Sequence, residues 1–393
     1  MLDEVVVTYF QAPKSYTAED VVEIACHGGH FVAESILDVL IRQGARLSEP
    51  GEFTKRAFLN GRLDLSQAEA VADLIHARTR SSHQLALQQL QGRVKDQAAR
   101  IRQRLIDTVS LLELELDFSE DEITQTPYSD IRDTLTDIKR QCQAMLTSFR
   151  KGKLFRNGIL VPLVGRPNAG KSSILNALLQ EERALVSDIP GTTRDTLEES
   201  ISNQGIEIRL VDTAGLRDAA GDSIESMGID RAQQVINRAD VLLYIIDVTE
   251  PVTAPFRSNG TPVIHVHNKI DLVQRPPEGG SPADPAHRHV YSSATELIGI
   301  DAIGNAIVEA ALGNQPSPES TDTLTITNQR HRDALAEALK SLDKALESVQ
   351  RELSSEFIVV DLRAAMDSLG LITGETTTDD ILNNIFSKFC IGK

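Results

Sequence analysis

Gly165-Arg166-Pro167-Asn168-Ala169-Gly170-Lys171-Ser172 decides how the rest of this chain is read. It fits the phosphate-loop pattern G-x-x-x-x-G-K-[S/T], with the apolar run Ile159–Val164 before it and a helical stretch, Ser173–Leu179, after it. The glycines let backbone N–H groups curl around phosphates, Lys171 reaches the β/γ oxygens, and the Ser172 hydroxyl suits Mg²⁺. Working outward, Asp212-Thr213-Ala214-Gly215 follows the apolar run Ile206–Val211. There Asp212 can hold magnesium through water, and the Gly215 N–H can sense a γ-phosphate. Asn268-Lys269-Ile270-Asp271 follows Val263–Val266, and a carboxylate at Asp271 can accept two hydrogen bonds from N1 and N2 of guanine, which adenine cannot supply. Ser293-Ala294, with Thr295 beside them, follows a further short strand and can offer backbone N–H groups to a base oxygen. Each motif alone is a common turn. All four in order, each after a strand, imply a guanine-nucleotide site.

Two roles are less sharply marked. Gly191-Thr192-Thr193-Arg194-Asp195 lies between the first two motifs, and Thr193 is the residue expected to complete a magnesium shell; the plainer reading is a Ser/Thr-rich surface turn. After Asp212–Gly215 stands Leu216 rather than a glutamine, and an apolar residue cannot orient a water. Glu225 is a candidate for that role, although the residues alone favour a solvated helix acid.

The surrounding pattern sets the architecture. Ile159–Val164, Ile206–Val211, Val241–Asp247 and Val263–Val266 alternate with helical stretches, which implies a mostly parallel sheet with crossover helices. From Ser66 the pattern turns helical for about fifty residues, with Val94, Ala98, Ile101, Leu105, Val109, Leu112 and Leu116 stepping by three and four. Residues 130–150 give another helix, and Leu335, Leu339, Leu342, Leu346, Val349 and Leu353 form a bundle-type stripe. Glu4–Phe10 reads as a strand, Val21–Ala25 as a second apolar run after a turn or helix start at Thr17–Asp20, and Phe31–Gln43 as a helix. The expected fold is multidomain α/β plus α. An N-terminal α/β domain spans 1–65, a helical domain 66–155 and 325–393, an inserted P-loop GTPase domain 156–312, and a linker 313–324.

Composition narrows the function classes. A chain of 393 residues, 41% hydrophobic and 25% charged, is globular rather than disordered. It has no apolar run long enough for a spanning helix and opens on no secretory signal. Cys26, Cys142 and Cys390 are too few and too scattered for a disulfide framework, so a reducing cytoplasm is expected. Cys390 is either a thiol nucleophile near the terminus or a small buried apolar residue. His27 and His30 lack further ligands nearby and read as no metal site. The net charge of −17 argues against a general nucleic-acid binder. The basic stretch Arg93, Lys95, Arg100, Arg102 and Arg104 is the best local RNA contact, or else a solvated helix face.

Five stretches then match one family in order: Ser15–Asp20, Gly51–Asn60, Gly165–Ser172, Asp212–Arg217 and the terminal Cys390-Ile391-Gly392-Lys393. With them the chain resembles the MnmE (TrmE) family of tRNA-modification GTPases over essentially its whole length. The resemblance implies a folate-binding N-terminal domain, a helical domain in two segments and an inserted G domain. It implies a cytoplasmic homodimer that joins the flavoprotein MnmG (GidA) in a heterotetramer or larger complex. That complex installs a carboxymethylaminomethyl or aminomethyl group on C5 of the wobble uridine of certain tRNAs, using 5-formyltetrahydrofolate or a related tetrahydrofolate.

Residue by residue, the resemblance implies GTP contacts from Asn168, Ala169, Gly170, Lys171, Ser172 and Ser173, and from Ser187, Asp188, Ile189, Pro190, Gly191, Thr192 and Thr193. Asp212, Thr213, Ala214 and Gly215 complete the phosphate side, and Asn268, Lys269, Ile270, Asp271, Ser293, Ala294 and Thr295 the base side. Ser172 and Thr193 would bind Mg²⁺. Asn168, Ser187, Ile189 and Thr192 would bind a K⁺ that stands where an arginine finger stands elsewhere. Glu225 would orient the attacking water. Glu23, Arg62 and Lys393 would contact the folate, with Cys390 near it as a candidate catalytic thiol. The family normally begins with a further N-terminal segment, so only part of the folate domain is expected here. The stretch Glu250–Thr261 is short, and Ser187 replaces the more usual threonine. The alternative is a switch GTPase docking on RNA in ribosome assembly; the Cys-Ile-Gly-Lys terminus and folate-like N-terminal domain favour the first reading.

Overall fold

The computed structural model describes residues 2–117, 126–181, 183–184, 198–213, 225–251, 258, 260–273, 287–313, 324–387, 389 and 392, with the backbone alone for 117, 183–184, 225–231, 287 and 379–380. In chain order the elements are β1 (Val6–Phe10), β2 (Val21–Ala25), α1 (His30–Arg42), α2 (Glu52–Leu59), α3 (Leu65–His76), α4 (Arg80–Leu90), α5 (Arg93–Asp117) and α6 (Tyr128–Asn157). There follow β3 (Ile159–Gly165), α7 (Lys171–Glu181), β4 (Arg183–Ala184), β5 (Glu198–Asn203), β6 (Ile206–Asp212), α8 (Glu225–Arg238), β7 (Leu242–Asp247), β8 (Val263–Asn268), β9 (His287–Tyr291) and α9 (Ile300–Leu312). The chain closes with α10 (Gln329–Gln350), α11 (Ser355–Thr373) and α12 (Asp379–Phe386).

Two compact units result. One comprises Met1–His76, Ala86–Phe149 and Leu324–Lys393; the other comprises Ala77–Leu85 and Arg150–Thr323. In the first, β1 and β2 pair antiparallel with Val6 opposite Ala25. The apolar stripes of α5, α6, α10 and α11 meet in one core, where Ile101, Leu105, Leu135, Ile138, Leu342 and Leu362 are fully buried. A smaller core joins Leu65, Ala68 and Val71 of α3 to Leu382 and Phe386 of α12 and to Phe389.

The long helical run expected from Ser66 is divided into α3, α4 and α5. The first break is a reciprocal cap: Ser82 N donates to Thr79 Oγ1, and Thr79 N donates to Ser82 Oγ, each at 3.2 Å. The second lies at Gly92, whose φ of +89° ends α4.

The second unit is built on a seven-stranded sheet in the order β4-β5-β6-β3-β7-β8-β9. From β6 to β9 the neighbours run parallel; β5 is antiparallel to β6 and β4 to β5. Burial of Ile159, Val161, Leu163, Ile208, Leu210, Leu243, Ile245 and Ile264 explains the continuous apolar runs. Packing moves the expected boundaries. Leu85, Leu154 and Phe155 are buried in the sheet's core, and Arg78 Nη1 pairs with Glu207 Oε1 at 3.1 Å, so 77–85 and 150–155 belong with the sheet rather than the bundle.

Candidate nucleotide site

The phosphate loop leaves the carboxyl end of β3 and runs into the N-terminus of α7. That is where an open α/β sheet places a ligand and where helix N–H groups attract anions. Gly165 passes so close to β7 that a Cβ there would lie 2.5 Å from the Ile245 carbonyl oxygen. Lys171 Nζ donates to the carbonyl oxygens of Gly165 (3.2 Å) and Arg166 (2.9 Å), so the ammonium sits inside the curve of its own loop. Ser172 Oγ donates to Asp212 Oδ2 at 2.7 Å, and Thr213 Oγ1 donates to Leu163 O at 2.6 Å. Ser172, in the first turn of α7, and Asp212, at the end of β6, thus offer two hard oxygens, a donor set suited to Mg²⁺. The cleft beside them holds about 650 Å³ and is lined by Gly165, Asn168, Lys171, Ser172, Ser173, Thr213 and Lys269, with Ala232 and Ile236 of α8 opposite. Its volume lies within the range of small-molecule sites.

The base-side motif meets the phosphate loop directly. Asn268, only 2% exposed, donates from Nδ2 to Ala169 O (3.1 Å) and accepts from Ala294 N at Oδ1 (3.3 Å). Asn268, read as a nucleotide contact, therefore has its amide committed to joining the phosphate loop and the Ser293–Thr295 loop. Ser293 is buried; its Oγ lies 3.0 Å from Thr295 Oγ1 and accepts from Glu296 N. Lys269 has φ +68°, and a single 3₁₀ turn, Ile270–Leu272, carries Asp271 exposed beside it. Ile270 N donates to Ser292 O, fixing that turn against the end of β9.

The sequence reading missed Asp247. It ends β7, is 8% exposed, and accepts from Lys269 Nζ at 2.5 Å and from Thr249 N and Oγ1 at 2.9 and 2.6 Å. Burial would raise its pKa, but the bonds from Lys269 and Thr249 win and hold it below the usual carboxylate range. Its one signal in the sequence is position: an acid at the carboxyl end of an apolar strand in a parallel sheet.

Other expected site residues fall elsewhere. Ser187, Asp188, Ile189, Pro190, Gly191, Thr192, Thr193, Ala214, Gly215, Cys390 and Lys393 lie outside the described residues, as does the side chain of Glu225, whose backbone opens α8. Glu23 on β2 and Arg62 after α2 are both exposed. The basic stretch of α5 is largely paired with acids. Arg102 meets Glu375 at 2.9 Å, Arg104 meets Asp137 at 2.6 Å, and Lys95 lies 3.9 Å from Asp64. Cys142 is buried in the bundle, which pushes its thiol up to about 12 and leaves it inert.

The family model for the MnmE helical domain matches residues 65–390, and that for the GTP-binding protein TrmE N-terminus matches 1–62. The chain belongs to the MnmE family. It is 43% identical over 407 residues to the tRNA modification GTPase MnmE of Cytophaga hutchinsonii and 41% identical over 404 to that of Carboxydothermus hydrogenoformans. Each match takes in all of this chain and 86% of the relative. Membership makes it a GTP-hydrolysing enzyme of the tRNA-modification GTPases. Among solved structures, the G domain of the T. maritima FeoB iron transporter matches 38% of this chain and 97% of its own, at 23% identity and TM-score 0.26. Among the described residues, no helix is long and apolar enough to cross a membrane.

Proposed function

We propose that this chain is a potassium-activated GTPase that acts with the MnmG flavoprotein to modify C5 of the wobble uridine of certain tRNAs, drawing a one-carbon unit from a tetrahydrofolate. The observation that carries the nucleotide part is the convergence of Lys171, the Ser172–Asp212 pair and the Asn268-bridged base loop on one cleft. In this reading Lys171 and the N–H groups at the start of α7 hold the phosphates. Asp271 accepts from N1 and N2 of guanine, while Ser293, Ala294 and Thr295 close over the base oxygen.

Ser172 and Asp212, with Thr193, would hold Mg²⁺, which supplies charge neutralisation at the β/γ oxygens. Asn168, exposed at the cleft with φ +63°, would offer its amide to K⁺ together with Ser187, Ile189 and Thr192, and the cation supplies the positive charge an arginine finger gives elsewhere. Glu225, at the first residue of α8, orients the attacking water. The carboxylate of Glu23 suits pterin N–H donors, and the cations Arg62 and Lys393 suit folate carboxylates. Cys390 is a candidate thiol nearby.

We assign 1–65 to the folate-binding and dimerisation domain, 66–76, 86–149 and 325–393 to the helical domain, 77–85 and 150–312 to the G domain and 313–324 to a linker. The protein works in the cytoplasm as a homodimer. The test is reconstitution with the flavoprotein, GTP, a tetrahydrofolate donor and unmodified tRNA, followed by mass spectrometry of the nucleosides. A C5 adduct on the wobble uridine is expected; its absence, with GTP still hydrolysed, would contradict the proposal.

A further inference from the structure

We propose that Asp247 is a positioning residue for guanine-nucleotide retention: through Lys269 it locks the base-reading loop onto the phosphate loop. This rests on the nucleotide-site reading above and concerns a residue outside its motifs. Lys269 Nζ makes two bonds, one to Asp247 Oδ2 at 2.5 Å and one to the Asn168 carbonyl oxygen at 2.9 Å. One ammonium therefore ties together three segments: the end of β7, the base loop and the phosphate loop. Both loop residues are held in the left-handed region, Lys269 at φ +68° and Asn168 at φ +63°, a conformation that costs a non-glycine residue and persists only where contacts impose it.

Asp247 is the anchor of the three because it is itself fixed. It is 8% exposed, stands opposite Asn268 in the β7–β8 register, and has its second oxygen taken by the N–H and hydroxyl of Thr249. Lys269, by contrast, keeps about a third of its side chain in solvent at 31% exposure. Without the carboxylate, hydration competes for the ammonium, its bond to Asn168 O loosens, and the turn bearing Asp271 loses its tether. The next residues repeat the grip at the surface, where Glu250 pairs with Arg166 of the phosphate loop at 3.3 Å. That exposed pair adds little.

The experiment measures release of a fluorescent N-methylanthraniloyl GDP from the full chain by stopped flow. It compares wild type, Asp247→Asn, Lys269→Met and the double variant, with thermal melts to check folding. Asp247→Asn keeps the shape and the oxygen facing Thr249, so it tests the charge without opening a hole, as Asp247→Ala would. Release is expected to quicken roughly 10-fold to 100-fold in Asp247→Asn, the scale of removing one partner of a partly buried ion pair. The double variant should be no faster than Lys269→Met, because the carboxylate acts through the ammonium. Wild-type release in Asp247→Asn, or effects that simply add, would overturn the inference. Failure of the wild type to bind the probe would instead overturn the nucleotide-site reading.

Discussion

Gly170 stands where the phosphate loop meets Asn268: a Cβ there would lie 2.2 Å from Asn268 Nδ2, on a backbone at φ +95°. Gly170→Ala must displace the amide that joins the two nucleotide loops, so affinity for fluorescent GDP should fall about 100-fold or more. Near-wild-type affinity would show that the loops tolerate separation. At the base, Asp271→Asn exchanges a double acceptor for an amide that both donates and accepts; preference should move from GTP to XTP, and unchanged GTP preference in competition assays would remove Asp271 from the base site. Glu225→Ala should slow hydrolysis roughly 10²-fold while leaving GTP affinity nearly intact, the scale of losing one positioned polar group. Equal turnover would end its role in orienting water. Gly170 and Asp271 were legible because their motifs demand fixed spacings, whereas the role of Glu225 came only with the family resemblance. Asp247 was not, because its role arises from strand register and a lysine twenty-two positions away.

Among the elements, α12 and the residues after it depend on a close approach to the start of α2. Gly51 has φ +69°, and a Cβ would lie 2.8 Å from Phe386 O and 3.1 Å from the Cβ of Phe389. Gly51→Ala should loosen this docking and cost about 1–3 kcal/mol, read as faster hydrogen exchange in α12 with the bundle core unchanged.

A second clamp joins α3 to α10 and α11. Glu69 accepts from Arg330 Nε and Nη2 at 2.9 Å each and lies 2.9 Å from His331 Nε2; Arg330 also donates to the carbonyl oxygens of Leu371 and Ile372. Burial would raise the Glu69 pKa, but His331 and Arg330 outweigh it and hold the carboxylate well below the usual glutamate range. A group with a depressed folded pKa stabilises fully above its unfolded value. Stability from this clamp is therefore intact at neutral pH and drains away as pH falls below about 4.5 toward the folded value. Glu69→Ala should cost about 3–5 kcal/mol in urea unfolding and flatten that acid-side dependence. A loss below about 1 kcal/mol would place the weight of the contact elsewhere.

The stripes of α5 and α10 were readable in the sequence because amphipathic period carries through a bundle. The breaks at Thr79 and Gly92 were not, since the apolar period runs on past a local cap. Nor was β5, because Glu-Glu-Ser-Ile-Ser-Asn offers a polar strand pairing on the antiparallel side of the sheet.

For the whole molecule, the two units are made of interleaved chain segments, so the joins fall inside continuous helical pattern rather than at its ends. Residues 77–85 look like bundle helix by pattern, yet Leu85 and Arg78 are buried or paired with the sheet. The folate, the flavoprotein partner and the cation loop are proposals that rest on the family resemblance and not on the residue pattern. The pairing of α5 arginines with Asp137 and Glu375 agrees with the net charge of −17 in giving this chain no broad basic face of its own there.

The central proposal is a GTPase activated by K⁺, and the family resemblance further implies that hydrolysis is coupled to pairing of G domains. The most direct test is GTP turnover in KCl against NaCl at equal ionic strength, across a range of protein concentration. The account predicts strong stimulation by potassium that grows with concentration, and its loss in a variant at Asn168. Equal, slow turnover in both salts at every concentration would contradict it.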